Sequence, residues 1–296
     1  MSPRPLVFAD SLSTFDEADF VIVGVPFDRT SSFRGGSRDA PQEIRKASHN
    51  FEPYMYELDI DLRDSAIHDM GDLDEMGSTE DMIMEMSFVS EKISGQKKFP
   101  LIIGGEHSIS PPAASGSVSR FKGDIGIIVV DAHLDFRREY MGDGNNHACA
   151  SRRFSDMVGP QRVFPIGTRS MCREEMDDAE EGKLRWLSAS EANRLSPSEA
   201  VSRAVSSMGV EKLYLSIDVD GMDPAFAPGT GTPEPFGLSA VWVKELIRAC
   251  GPFLAGFDIV EVCPPVDNGN TSALAARLIR ETIASVEING RPGGKI

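Results

Sequence analysis

Asp131-Ala-His-Leu-Asp135 carries two carboxylates and an imidazole at alternate positions. Side chains at i, i+2 and i+4 of extended backbone share one face. Asp131, His133 and Asp135 are therefore predicted to leave the chain on one side, as a set able to hold a divalent cation. The run before them, Ile125 and Ile127–Val130, is apolar and β-branched, which reads as a strand buried on both faces. Its C-terminal edge is where open α/β sheets collect their ligands. Three more apolar runs end in the same kinds of residue: Glu106-His107, Asp218-x-Asp220 and Glu261. In a parallel sheet these edges lie together, so residues far apart in sequence can meet in one pocket.

Each piece alone has a plainer reading. A strand-end Asp often caps the next helix, and a lone His is more often a satisfied polar residue than a ligand. Together, four aspartates and two histidines would repel one another strongly without cations. Six such side chains suit two ions if two carboxylates bridge. Oxygen-rich ligands with a minority of imidazole favour Mn²⁺, with Fe²⁺, Co²⁺ or Zn²⁺ as alternatives. Two divalent cations a few ångström apart would hold a hydroxide, a hydrolytic nucleophile at neutral pH. Four carboxylates cancel two cations and the hydroxide leaves about −1, so the pocket should welcome a cation and repel an anion. A two-metal phosphoesterase is the rival, because Asp131-x-His133 and Gly144-Asn-Asn-His147 look like pieces of its motifs. Such enzymes need histidines further along, and the five here stand at 49, 68, 107, 133 and 147.

Strands are predicted at 19–25, 67–73, 99–103, 125–130, 162–166, 184–187, 212–217 and 253–259. Helices are predicted at 40–49, with Pro41 in the first turn, and at 79–94, capped by Ser78 or Thr79. After His107 a helix is expected to be broken up by Pro111 and Pro112. Further helices are expected from about 148, over 172–181, 197–208 and 239–250, and over 272–288 behind Thr271 or Ser272. Residues 224–238 hold four prolines and three glycines, which excludes helix and strand and marks a functional loop. Strand and helix alternate without linker or fixed-period repeat. One doubly wound, three-layer αβα domain with a mainly parallel sheet, spanning 1–296, is the expected α/β architecture.

The formal charge of −16 argues against nucleic acid and anionic membrane as partners. It suits a small cationic substrate, although a solvated acidic surface explains it too. No apolar stretch reaches the roughly 18–20 residues of a membrane span, and the opening residues lack a signal peptide's apolar segment. Cysteines 149, 172, 250 and 263 form no C-x-x-C, and reduced thiols in the cytoplasm are expected.

The blocks Gly104-Gly-Glu-His-Ser108, Asp131-Ala-His-Leu-Asp135 and Ser216-Ile-Asp-Val-Asp-Gly-Met-Asp-Pro224, the last running on to Pro233, resemble the signatures of the ureohydrolase family, the arginases, agmatinases and relatives. Gly24-x-Pro26-x-Asp28 with Gly36-Ser-Arg38, and the stretch from Phe257 to Asp267, are similar to its N- and C-terminal patterns. The resemblance covers about residues 20–285. It implies two ions, the first on His107, Asp131, Asp135 and Asp218, the second on Asp131, His133, Asp218 and Asp220. It implies attack on a guanidinium carbon to give urea and an amine. By the same resemblance Asp135 orients the hydroxide, Glu261 grips the guanidinium, and His147 carries a proton to the leaving amine. Glu261 and His147 retain structural readings, as a strand-end carboxylate and a loop hydrogen-bonder. Arg38 and Arg45 are expected to pair with carboxylates. Cys149 and Cys263 are expected near the pocket without a catalytic role. Trimers or hexamers are common in the family, so a homo-oligomer is expected.

The substrate's tail is the remaining choice. An ammonium tail needs acceptors, and the loop Asp143-Gly-Asn-Asn-His147-Ala-Cys offers Asp143 and Asn145, with Thr232 as a further polar contact. Glu174 and Glu175 are additional candidates, against a plainer reading as a solvated acidic helix. His147-Ala-Cys looks closer to the agmatinase branch, whereas Gly144-Asn145-x-His147 resembles part of an arginase loop. Agmatine, giving putrescine and urea, is the favoured substrate. Arginine, guanidinobutyrate and N1-aminopropylagmatine are the alternatives; a zinc deacetylase of the same broad fold or a non-catalytic subunit lies further off.

Overall fold

The computed structural model describes residues 6–74 and 77–290. Its elements are β1 (Phe20–Gly24), α1 (Ala40–Ser48), β2 (Tyr54–Met55), β3 (Ile60–Asp61), β4 (Ile67–Asp72), α2 (Thr79–Gly95), β5 (Phe99–Ile103), α3 (Ser110–Phe121), β6 (Ile125–Val130), α4 (Ala150–Val158), β7 (Val163–Thr168), α5 (Arg173–Gly182), β8 (Leu187–Ser188), α6 (Ala189–Ala192), α7 (Pro197–Met208), β9 (Lys212–Asp218), α8 (Ala240–Cys250), β10 (Leu254–Val260) and α9 (Asn270–Ile288). Eight strands form one sheet in the order β4-β1-β5-β10-β9-β6-β7-β8. Every pairing in it is parallel, as expected of apolar runs that alternate with helices. β2 and β3 make a small antiparallel ribbon of their own, which the polar stretch of sequence did not suggest.

The two faces of the sheet feed two cores. Ile22, Ile103, Ile128, Val130, Ile217 and Ile259 face one, together with apolar residues of α1, α7, α8 and α9. Val21, Val23, Ile102, Ile127, Val129 and Val260 face the other, packed against α2, α3, α4 and α5. Alternate residues of each strand go to opposite layers, so the buried strands read as continuous apolar runs.

The helix after His107 departs from expectation. Pro111 and Pro112 do not break it; they occupy its first turn, and α3 continues without interruption to Phe121. The first-turn N–H groups have no intrahelical partner, so proline costs nothing there. Strand β7 runs on to Thr168, past the predicted end, and β8 shrinks to two residues. Residues 224–238 form no helix or strand. Loop backbone is satisfied instead by Asp223, whose Oδ2 accepts from the N–H of Phe236 (2.6 Å) and Gly237 (3.1 Å).

Candidate active site

Four adjacent strands in the middle of the sheet, β5, β10, β9 and β6, deliver the acidic and imidazole residues. Their ends are held level by register: Val260 lies beside Asp218, and Ile217 beside Val130. Chain order runs β5, β6, β9, β10, so the neighbours are made by crossovers. Gly105 lets β5's following loop pass tightly under the loop after β1. Its N–H donates to Val25 O (3.0 Å) and its own carbonyl accepts from Glu261 N–H (2.8 Å). A Cβ there would stand 1.9 Å from Phe27 O.

His107 and Asp131 are buried at the floor. The His107 Nδ1 atom stands 3.1 Å from Asp131 Oδ2, 3.2 Å from Asp135 Oδ2 and 3.4 Å from Asp218 Oδ2. His133 Nδ1 lies 3.0 Å from Asp220 Oδ2 and 3.6 Å from Asp131 Oδ1. Two groups with metal-ligand geometry result, His107-Asp131-Asp218 and Asp131-His133-Asp220, sharing Asp131. The fit to divalent cations is supported by two buried atoms, His107 Nδ1 and Asp131 Oδ2, that have no hydrogen-bond partner. Both residues belong to these groups, whose ligand atoms lie within 4.8 Å of one another. A divalent cation would satisfy both at once.

The electrostatics fit the same reading. Burial, and then the Asp220 and Asp131 carboxylates, push Asp218 well above the usual carboxylate range. Burial and then Asp131 push Asp135 up to about 7. Burial disfavours charge on His107, yet the three carboxylates facing it hold its imidazole well above the usual range. His133 behaves alike, because Asp220 and Asp131 outweigh its burial. Without cations, protons must hold this cluster together.

Asp135 and Glu261 both sit in left-handed backbone, at φ 51° and 61°. The chain after β6 therefore turns at Asp135, whose carboxylate lies 3.2 Å from His107 Nδ1. Such conformations cost energy and recur at functional sites. Glu261 Oε1 accepts the backbone N–H of His107 (2.8 Å), and burial followed by the nearby Glu106 carboxylate pushes Glu261 up to about 8.

Above the cluster opens a cavity of about 280 Å³. It is lined by His107, His133, Asp135, Asp218, Asp220, Glu261, His147, Thr232 and Glu175 among the predicted residues, and by Ser32, Arg137, Tyr140, Ser170, Met171 and Cys172 besides. Asp131 lies beneath. Thr232 Oγ1 donates to Asp220 Oδ2 (3.1 Å). The ring of His147 contacts Thr30 Oγ1 through Nδ1 (3.2 Å) and Ser32 Oγ through Nε2 (3.3 Å), with Tyr140 packed edge-on. Burial and the charge of His107 lower its pKa to about 4, which keeps the imidazole neutral at neutral pH.

Asp143 and Asn145, expected as substrate contacts, do not line this cavity. Backbone bonds between Tyr140 and Asp143 curl the loop, and Asp143 Oδ1 accepts the N–H of Asn145 (2.7 Å). Asn145 consequently faces a separate pocket beside α3 and α4. Glu175, by contrast, is buried at the cavity wall and not solvated, accepting from Phe136 N (3.1 Å) and Cys172 N (2.9 Å). Arg45 is buried, with its guanidinium on Asp69 (2.8 and 2.9 Å) and in contact with Asp72. Arg38 bonds Asp28 (2.5 Å). All four cysteines are free; Cys149 and Cys263 are buried near the site, but it is Cys172 that reaches the cavity.

Several supporting residues had little or no signal in sequence. Arg169 donates to the carbonyls of Gly167, Asp220, Gly221, Met222, Glu234 and Pro235, fastening the 224–238 loop to the Asp218-x-Asp220 segment. Asp258 lies fully buried within β10 and accepts from Ser216 Oγ (2.7 Å) and Ser110 Oγ (2.9 Å). Its one signal in the sequence is a carboxylate inside an apolar strand.

Residues 18–284 match the family model described as Arginase family. An agmatinase of Pyrococcus horikoshii is 37% identical over 278 residues, covering 92% of this chain and 94% of that protein. A guanidinobutyrase of Pseudomonas aeruginosa is 35% identical over 288 residues, covering 94% and 89%. Among solved structures, the agmatine ureohydrolase of Thermoplasma volcanium superposes with a TM-score of 0.91 at 41% identity, covering 97% of this chain and 96% of that one. With its paired His/Asp groups at the C-terminal edge of a parallel sheet, the chain belongs to the arginase family.

Proposed function

We propose that this chain is a ureohydrolase that uses two divalent cations to split agmatine into putrescine and urea. The observation that carries the reading is the pair of His/Asp groups joined through Asp131 beneath a cavity that also holds Glu261. The agmatinase names of its relatives support the choice of substrate.

His107, Asp131, Asp135 and Asp218 would hold one cation and Asp131, His133, Asp218 and Asp220 the other, with Asp131 and Asp218 bridging. The preponderance of carboxylate oxygen favours Mn²⁺ over Fe²⁺, Co²⁺ or Zn²⁺. Bound there, the cations would supply Lewis-acid charge and make water nucleophilic at neutral pH. The chain's own groups do the rest. Glu261 accepts guanidinium N–H bonds and turns the guanidinium carbon toward the floor; an arriving cation also relieves the crowding of carboxylates around it. Asp135, beside His107, accepts the proton that the attacking water gives up. His147, neutral at rest and on the cavity wall, accepts a proton from solvent at the ring nitrogen that faces the cavity and passes it to the departing amine nitrogen, returning to the neutral form. Thr232 acts indirectly, by holding Asp220.

Glu175 is the carboxylate in the lining outside these groups and suits an ammonium tail. Arg137 also lines the cavity, 3.5 Å from Glu175, and favours a second reading in which the tail is a carboxylate, as in 4-guanidinobutanoate. Urea release from Mn²⁺-loaded protein should be compared for agmatine, arginine, 4-guanidinobutanoate and N1-aminopropylagmatine. A kcat/KM for any of the other three equal to or above that for agmatine would overturn the assignment.

The chain is taken to work as one ureohydrolase domain over 1–296, as a homo-oligomer, trimeric or hexameric, in the cytoplasm. Free thiols and negative charge support the compartment, and mass in solution tests the assembly. Among the described residues no helix is long and apolar enough to cross a membrane.

A further inference from the structure

Glu106 is fully buried, belongs to neither His/Asp group and does not line the cavity. Its carboxylate nevertheless collects four donors: Thr30 N–H (2.8 Å), Thr30 Oγ1 (2.6 Å), Ser31 Oγ (3.2 Å) and Ser108 Oγ (2.7 Å). Two of these come from Thr30, the residue that touches His147 twice. The backbone N–H of His147 donates to Thr30 Oγ1 (2.9 Å), and its Nδ1 lies 3.2 Å from the same oxygen.

A hydroxyl has one proton to give. That of Thr30 is committed to Glu106 Oε1 at 2.6 Å, so the Thr30 oxygen can only accept from His147. Nδ1 must then carry the ring proton, and Nε2 is left with its lone pair, facing Ser32 Oγ on the cavity wall. We propose that Glu106 is a positioning residue that, through the Thr30 hydroxyl, fixes the Nδ1–H tautomer of His147 and seats the loop that carries it. Its consequence for turnover rests on the reading of His147 as the proton carrier to the leaving amine.

Glu106→Gln keeps the shape; the Thr30 backbone N–H, which cannot turn, holds the Gln carbonyl oxygen at the Oε2 position and leaves the amide N–H₂ at the Oε1 position, facing the Thr30 hydroxyl. The Thr30 hydroxyl loses its acceptor, rotates toward His147 Nδ1 and becomes the donor, which drives the ring to the Nε2–H form. Thr30→Val removes the hydroxyl without changing volume much, and Thr30→Ser restores it. Histidine-labelled, zinc-loaded protein, diamagnetic and so open to NMR, reports the ring tautomer directly. With five histidines in the chain, the His147 signal is identified by its loss in His147→Gln. The wild type and Thr30→Ser should show Nδ1–H, whereas Glu106→Gln and Thr30→Val should lose it. In Mn²⁺-loaded protein with agmatine, the latter two should lose roughly 10- to 100-fold in kcat with KM within about threefold. An unchanged tautomer in both Glu106→Gln and Thr30→Val, at wild-type metal content, overturns the proposal. A changed tautomer with unchanged kcat upholds the positioning role and removes His147 from proton transfer instead.

Discussion

Replacing Ser216 by alanine should weaken metal binding without touching a ligand. Ser216 lies in β9 with its Oγ donating to Asp258 Oδ1 at 2.7 Å, and the same oxygen stands 3.2 Å from His107 Nε2. Its single proton is spent on Asp258, so the oxygen accepts Nε2–H, and this leaves Nδ1 as the atom that faces Asp131, Asp135 and Asp218. Ser216→Ala strips a buried ring N–H of its acceptor, at a cost of about 1–3 kcal/mol. For a chain of 296 residues, unfolding entropy at about 2.1 cal/mol/K per residue converts that cost to a fall in Tm of roughly 2–5 °C. Part of it is shared by the metal-free and metal-loaded forms. The differential effect comes from the freed ring, and groups that orient a ligating histidine typically contribute about 10- to 100-fold in affinity. Competitive titration of Mn²⁺ against a chelator, with metal content measured in parallel, reads this directly. Ser110→Ala is the control, since Ser110 Oγ donates to the same Asp258 oxygen at 2.9 Å but does not reach His107. It should cost similar stability and leave affinity unchanged. A Ser216→Ala protein with wild-type affinity, or a Ser110→Ala protein equally impaired, would refute the relay.

Three other outcomes are expected. Carboxylates hold His107 and His133 protonated in the metal-free protein, and a cation requires neutral rings, so binding must expel protons. Affinity should therefore fall as pH falls; calorimetry near neutral pH in buffers of different ionisation enthalpy should detect proton release, and a buffer-independent heat would contradict it. Asp131 belongs to both His/Asp groups and Asp220 to one, so Asp131→Ala should bind neither ion tightly and Asp220→Ala should retain one; equal stoichiometry in the two variants counts against the shared-ligand arrangement. Arg45→Ala leaves the buried Asp69 carboxylate without its cation, which should cost about 3–5 kcal/mol, roughly 5–8 °C in Tm, while a change below 1 °C would show that the Phe8 and Gly71 N–H donors on Asp69 suffice.

Much of this molecule is legible from local pattern. The run Ile125–Val130 reads as a buried strand because five of its six residues are apolar and β-branched, and both its faces are indeed covered. Alternation with helical segments then implied a parallel sheet. Position within an element matters more than composition: Pro111 and Pro112 stop a helix interior but are accommodated in a first turn. Asn145 is polar and two residues from His147, yet the Tyr140–Asp143 turn rotates it into another pocket. Spacing along a chain says nothing about direction once the backbone leaves regular geometry.

Sequence alone determined the chemistry on offer, because a cluster of Asp and His at the ends of apolar runs is costly without cations whatever the fold. It also determined the parallel sheet, because continuous β-branched runs can be buried only between two helical layers. Tertiary structure decided who meets whom. The order β5-β10-β9-β6 brings His107, Glu261, Asp218 and Asp131 side by side across more than 150 residues of chain (from 107 to 261), through crossovers that no local pattern encodes. Left-handed turns at Asp135 and Glu261 aim two of the carboxylates. The link from Glu106 through Thr30 to His147 exists only because Gly105 lets two loops touch. Hydrogen bonds are short-ranged and directional, and their partners are known only when the backbone has been placed.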